Sequence, residues 1–449
     1  MELRLSDFAA VCGGELHGDC VFTNVEIDSR KVRPGDLFVC LKGERVDGHD
    51  YAENAASAGA VGILCERETN TELPYLLVED SVKSLQQFAT EFRIRKHPFV
   101  VAVTGSVGKT STKECIYAVL NEKYRTHKTP GNLNSETGVP RTILGMTEED
   151  EALVVEMGMS ARGEISVLTH IALPDVAVIT CIGVSHLAHL GSRENICRAK
   201  LEILEGLDKN GTVVYNGDDP YLAAESETLN RFRTVTFGYS EACTVRAEDV
   251  QGSAGSTSFT AVTPDGRIRI TLPCEGKHNV MNAMAAVCVG LIQKIPPEKI
   301  AEGLTHFRQA PMRGQQYEKI GVCLIEDCYN AGPESMTAAL ALLASKPGRH
   351  ISVLGDMLEL GALSDEMHRQ IGAKAAGMDV LIFFGNHNAC YSSGAVRAGA
   401  DADKMILCAN SEEAGRKLKA IARAGDVVLV KASRGMHGEK VIEKFLEKE

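Results

Sequence analysis

A chain of 449 residues has room for two or three domains, each with its own core. Its net charge of −12, carried without a basic block, argues against nucleic acid as a partner. Fourteen cysteines include no Cys-x-x-Cys pair, which excludes a zinc knuckle or thioredoxin-like motif and reads as reduced, buried thiols.

Met1–Ala10 has neither the basic start nor the apolar core of a signal peptide. The apolar stretch Asn279–Gln293 is too short to span a membrane. The expectation is a cytoplasmic, monomeric enzyme without membrane insertion. A first block, residues 1–97, mixes short strands with one helix-like run, Asp50–Cys65, and ends in the basic stretch RIRKHP. A second block, 98–310, opens with a strand and a glycine turn. It then alternates strands (ALVVEMG, DVAVITCIG, GTVVYNGD) with helical stretches, the pattern of a parallel sheet with crossover helices. Late in this block, Ser256–Cys274 alternates with period two around Pro-Asp-Gly and predicts an antiparallel hairpin. A third block, 311–449, offers five apolar runs, VCLIED, HISVLGDM, VLIFFG, KMILCA and DVVLVKAS, each followed by a helical segment. The predicted fold is therefore α/β in three domains: a small mixed domain, a central mononucleotide-binding sheet of the P-loop ATPase type, and a C-terminal Rossmann-like domain.

The second block begins VVAVTGSVGKTSTKE. The common phosphate loop, G-x-x-x-x-G-K-[ST], needs glycine at position 103, where this chain has Val103. Its first glycine is Gly105, so the loop is pinched to Thr104–Thr110. Backbone N–H groups there and the positive end of the following helix suit an anion. Lys109 would reach the terminal phosphates, and Thr110 or Ser111 could face Mg²⁺. The bland alternative is an ordinary strand–turn–helix corner.

Glu156 is the first charge after an apolar strand, where parallel-sheet active sites sit, and His186 follows the next strand in the same way. Lys200 lies within the apolar stripe Ile196, Ala199, Ile203, Leu204, Leu207 of a helix that Ser192 can cap. An inward lysine commonly snorkels to the rim. The alternative is a desolvated amine, reactive enough toward CO₂ to become a carbamate that binds Mg²⁺.

The segments TGSVGKTSTKE, GNLNSETGVP, VVEMGMSARGEI, GVSHLAHLGSRENICRAKLEI, GKHNVMNAMAA, EDCYNAGPESM, LGDMLELG and VKASRGMHGE together resemble the Mur ligases of peptidoglycan synthesis. The first block's DSRKVRPGDLFVCLKGERVDGHDYAENAASAGA extends that resemblance nearly end to end. Within the family the chain is most similar to members that add D-alanyl-D-alanine to UDP-N-acetylmuramoyl-tripeptide through an acyl phosphate. The resemblance implies a first domain that binds the UDP-sugar through Asp28, Ser29, Arg30, Asp47, Gly48 and His49. It implies ATP held by Thr104, Gly105, Ser106, Val107, Gly108, Lys109, Thr110 and Ser111, with Asn279 and Asn282 on the adenine side. Arg313 and Asp327 would contact the nucleotide from the third domain. Asn134, Thr137, Tyr329, Asn330, Ser433 and Arg434 would meet the substrates. Thr110, Glu156, His186 and a carbamylated Lys200 would hold two Mg²⁺ ions, and Lys109, Glu156, His186 and Lys200 would form the catalytic group.

Two features depart from this picture. The family's YNANP reads YNAGP, with Gly332 in place of an asparagine, and Cys328 beside Asp327 has no evident chemical role. The sister ligase that adds lysine or diaminopimelate carries D-N-P-R, which is absent. A folylpolyglutamate-synthetase-like reading leaves the first block unexplained, and a nucleotide switch needs no lysine among metal ligands.

Overall fold

The computed structural model describes residues 3–43 and 45–447, arranged around three main sheets. The first is five-stranded, in the order Glu15–His17, Tyr75–Leu77, Gly62–Cys65, Asp36–Val39, Asn24–Glu26, parallel except for its first pair. The runs DLFV and GILC are buried throughout, as strands covered on both faces must be. Only part of Asp50–Cys65 is helical. A helix spans Ala52–Ala58, stops at Gly59 and gives way to the strand Gly62–Cys65.

The basic stretch RIRKHP largely belongs to a longer helix, Ser81–Lys96, a second helix in a block expected to hold one. Asp80 caps it by accepting from the Lys83 N–H at 2.9 Å, and the last-turn cations complement the helix dipole. Its buried residues Leu85, Phe88, Ala89 and Phe92 follow helical spacing, and Phe88 stacks on Phe8 with ring centroids 4.2 Å apart.

The central sheet has nine strands, in the order Gly266–Leu272, Ser256–Thr263, Val245–Ser253, Arg233–Gly238, Thr212–Asn216, Val176–Ile179, Phe99–Thr104, Ala152–Glu156, Thr126–Lys128. The strands from Val245–Ser253 onward in that order pair in parallel. The hairpin Ser256–Leu272 is present and extends one edge antiparallel. Phe99–Thr104 lies between Ala152–Glu156 and Val176–Ile179, so the glycine turn, Glu156 and the segment leading to His186 emerge together at the carboxyl end.

The third sheet has six strands, in the order Gln315–Lys319, Val322–Asp327, Asp426–Lys431, Arg349–Gly355, Val380–Phe384, Met405–Cys408. All five anticipated strands are there. The added Gln315–Lys319 is a polar antiparallel edge, which an apolar-run criterion passes over. The first and second units are joined by Arg141, which donates to Glu26 Oε2 at 2.7 Å and to the Val25 carbonyl at 3.1 Å. All fourteen cysteines are free. No helix among the described residues is long and apolar enough to cross a membrane.

Candidate active site

Val103 is fully buried in its strand, and the first glycine of the turn comes two residues later than in the common phosphate loop. Gly105 has φ +145°, and a Cβ there would lie 1.8 Å from Thr180 Oγ1. That hydroxyl donates to the Val107 carbonyl at 2.6 Å, so the neighbouring strand end braces the loop. Gly108, φ +87°, precedes the helix Lys109–Leu120, and a Cβ there would sit 2.6 Å from Asn282 Oδ1. Gly105→Ala is therefore expected to displace the loop and weaken ADP binding at least tenfold, as read by titration calorimetry.

Lys109 Nζ donates to the Gly105 carbonyl at 2.8 Å, folded over its own loop. Burial pushes its pKa down, with the Glu156 carboxylate opposing and Arg313 adding to the effect. The loop is flanked by Thr104, whose hydroxyl donates to the Met157 carbonyl at 3.1 Å. Among the described residues Ser106 Oγ is buried without a hydrogen-bond partner. Thr110 is buried, and Ser111 follows it on the same helix.

Glu156 is 2 % exposed. Its Oε1 accepts from Asn134 Nδ2 at 2.9 Å, while Oε2 has no hydrogen-bond donor. Thr137 stands at the start of the helix Gly138–Leu144 that follows this loop. The buried Lys113 ammonium lies 3.8 Å from Glu156 Oε2, 3.2 Å from Glu114 Oε1 and 2.9 Å from the Thr129 carbonyl. Sequence reasoning missed Lys113. It shares a helix face with Ile116 and Leu120, the same inward-lysine signal that singled out Lys200.

Ser192 caps the helix Arg193–Leu201, accepting from the Asn195 N–H at 3.2 Å, and the stripe around Lys200 is buried. Lys200 is 1 % exposed, so it does not snorkel to a rim. Burial, and then the nearby Lys109 charge, push its pKa well below the ordinary lysine value, with no carboxylate opposing. His186 has φ +62°, and its Nδ1 lies 2.7 Å from Oε2 of Glu359, a third-domain residue.

Asn279 Nδ2 donates to the Glu275 carbonyl at 2.8 Å, and Asn282 Oδ1 accepts from Thr112 Oγ1 at 3.1 Å, fixing both amides behind the loop. Arg313 stacks over Tyr329 at 4.1 Å. Asp327 is bound by the buried Lys431, 2.6 Å from its Oδ2, and Lys431 also donates to the Asn330 carbonyl at 3.0 Å. Lys431 is a second organising cation that sequence reasoning missed. Ser433 Oγ accepts from the Leu358 N–H at 2.9 Å, whereas Arg434 is half exposed and pairs with Glu439 at 2.9 Å. A Cβ on Gly332 would meet open space, so the departure from YNANP removes a side chain without a steric reason. Cys328 is a packing residue: a Cβ on Gly438 would fall 2.6 Å from its Cβ.

The first-unit residues make no hydrogen bond to the phosphate loop among the described residues. Arg30 forks onto Asp28 at 2.8 and 2.9 Å, with Ser29 in the intervening turn. They adjoin a cavity of about 480 Å³ lined by Asn24, Glu26, Arg30, Lys31, Arg33 and Asp36 among others. Asp47 accepts from the His49 N–H at 3.0 Å and approaches its Nδ1 at 2.6 Å. His49 Nε2 accepts from the Glu66 N–H at 2.9 Å, so the ring locks its own turn. Gly48 is pressed against Leu41, whose N would lie 2.7 Å from an added Cβ. The N–H and imidazole of His49 and the Arg67 guanidinium hold the Asp47 carboxyl down to about 2. Its stabilising contribution is thus complete above the ordinary carboxylate range and lost as pH falls toward 2. Asp47→Asn should lower the thermal midpoint at pH 7, with the gap from wild type closing between about pH 4 and pH 2.

Fold and site together define a three-domain protein of the P-loop nucleotide-binding class. Residues 103–290 match the Mur ligase middle domain, 312–434 the Mur ligase glutamate ligase domain, and 21–119 the Mur ligase family catalytic domain. The chain is 40% identical over 435 residues to the UDP-N-acetylmuramoyl-tripeptide–D-alanyl-D-alanine ligase of Bacillus subtilis, covering 95% of this chain and 94% of that one. A crystal structure of MurF from Acinetobacter baumannii superposes with a TM-score of 0.91 at 31% identity, over 100% of this chain and 99% of that one. MurF ligase from Thermotoga maritima in complex with ADP gives 0.81 at 35% identity, over 94% and 96%. The chain belongs to the Mur ligase family.

Proposed function

We propose that the protein joins D-alanyl-D-alanine to UDP-N-acetylmuramoyl-tripeptide with ATP, releasing ADP and phosphate. The observation that carries the ligase chemistry is that Lys109 of the phosphate loop interacts both with the buried Lys200, whose pKa burial pushes well down, and with the buried Glu156, whose Oε2 has no hydrogen-bond donor among the described residues. The choice of substrates rests on end-to-end likeness to relatives of that name. In this reading 1–97 binds the UDP-sugar, 98–310 binds ATP and 311–449 brings the amine. The protein acts as a cytoplasmic monomer.

A buried carboxylate oxygen without a hydrogen-bond donor suits a divalent cation, and a lysine whose pKa burial lowers suits carbamylation by CO₂. Thr110, Glu156, His186 and carbamylated Lys200 would hold two Mg²⁺ ions, which supply neutralisation of charge during phosphoryl transfer. Lys109 leaves the Gly105 carbonyl and takes a terminal phosphate oxygen, while Asn282 keeps the loop in register. A substrate carboxylate oxygen attacks the γ-phosphorus and ADP departs. The incoming amine then attacks the acyl carbon, and the tetrahedral intermediate expels phosphate to leave the amide. Arg313 and Asp327 contact the nucleotide from the third domain. Ser433, Arg434, Tyr329 and Asn330 border the amine, and Asn134 and Thr137 border the acceptor.

ADP release tests this reading. It is expected only when the UDP-tripeptide and D-alanyl-D-alanine are both present. Equal turnover with free lysine, diaminopimelate or glutamate would show the assignment to be wrong.

A further inference from the structure

We propose that Glu359 is a positioning residue for His186, supplied across the domain seam, so that the His186 side of the metal site is complete only when the third domain is closed. This rests on the reading of His186 as a metal ligand.

Glu359 lies in the loop between the strand Arg349–Gly355 and the short turn Gly361–Leu363. Its Oε2 is 2.7 Å from His186 Nδ1, and its carbonyl accepts from the Ala188 N–H at 3.2 Å. Side chain and backbone of one residue thus grip one segment of the central domain. Both partners adopt left-handed backbone, φ +64° at Glu359 and φ +62° at His186, a conformation that costs energy outside glycine. Gly361 closes the seam, since a Cβ there would fall 3.1 Å from Ala188 Cα. A second third-domain carboxylate marks the same boundary: Glu334 Oε1 would lie 2.9 Å from a Cβ on Gly183.

The loop that carries Glu359 is held rigidly from behind. The Leu358 N–H donates to Ser433 Oγ at 2.9 Å, and the Ser433 N–H donates to the Asp356 carbonyl at 3.2 Å. The Met357 N–H donates to His368 Nε2 at 2.9 Å, and Asp356 accepts from the N–H groups of Asn386 and His387 at 2.8 and 3.1 Å. Asp356, His368 and His387 cluster closely enough to suggest a metal site of their own. His368 uses both ring nitrogens, however, its Nδ1 lying 2.6 Å from the Ser364 carbonyl, so the cluster serves as scaffold.

In this structure the carboxylate stands at ion-pair distance from Nδ1 without hydrogen-bond alignment; a carboxylate on that side favours Nε2 as the ring atom turned to a metal, the arrangement in which a second group sets the ligand's direction. Because Glu359 belongs to the third domain, metal binding and closure favour each other by the same free energy.

The test uses the full chain, ADP and Mn²⁺ as the spectroscopic probe, with affinity read by electron paramagnetic resonance. Glu359→Ala is expected to weaken Mn²⁺ binding in the presence of ADP by about 10- to 100-fold. ADP affinity without metal should remain unchanged, as should the thermal midpoint, because this side chain is half exposed. Glu359→Gln should fall between, and the double variant with His186→Ala should be no weaker than His186→Ala alone. Wild-type Mn²⁺ affinity in Glu359→Ala, with His186→Ala weakened, would overturn the proposal. Unchanged affinity in both would instead overturn the ligand reading of His186, and this proposal with it.

Discussion

Replacing Lys200 with methionine is expected to lower ADP release with the full substrate set by about a hundredfold or more, the loss of several kcal/mol of transition-state stabilisation. Methionine keeps the apolar stem and fits the helix. It removes a buried amine that has no carboxylate pushing its pKa up among the described residues, so the thermal midpoint should hold or rise slightly. What it deletes is the group that can become an anion. Lys200→Arg should fail as well, because a guanidinium stays cationic and takes up no CO₂. Small carboxylates such as acetate should restore part of the activity of the methionine variant by occupying the vacated ligand position. Full activity in Lys200→Met would rule out the carbamate.

The second large effect concerns stability. Lys113→Met leaves the almost fully buried Glu156 without its cation, while Glu114 keeps its pairing with Lys128. Breaking a buried pair by removing one member strands the other charge, at a cost of about 3–5 kcal/mol. Urea unfolding should show that loss at neutral pH as a lower midpoint with an unchanged slope. Adding Glu156→Gln should recover part of it, since the stranded charge is then gone. A midpoint equal to wild type in Lys113→Met would mean that solvent or rearrangement satisfies Glu156, and that Lys113 does not hold it.

Short-range pattern reached far in this chain. An apolar run followed by TGSVGKT determined a strand, a phosphate-loop turn and a helix start. Ser192 and the first part of the stripe determined a capped helix with Lys200 facing inward, although the α-helix stops at Leu201 and Glu202–Leu204 tightens into a 3-10 turn, and the period-two alternation around Pro264 determined a hairpin. The helix Ser81–Lys96 is equally legible in the spacing of Leu85, Phe88, Ala89 and Phe92, a signal of the same local kind. Each of these signals is local, because side-chain period and cap chemistry act within a few turns of chain.

Periodicity states that a side chain faces inward and is silent on what it meets. Only the tertiary structure decided that Lys113 stands between Glu156 and Glu114, that Lys431 holds Asp327, and that Asp47 and His49 first serve each other and Glu66. It likewise decided that Lys200 is sealed from solvent, where spacing left snorkelling open. The meeting of Glu359 with His186 depends on two separate sheets docking along one seam. Parallel crossovers place residues from remote segments at neighbouring strand ends, and domain docking adds partners from another fold unit altogether. Which charge a buried charge meets is therefore a property of topology, and it is that meeting, through desolvation and pairing, that sets the chemistry of the site.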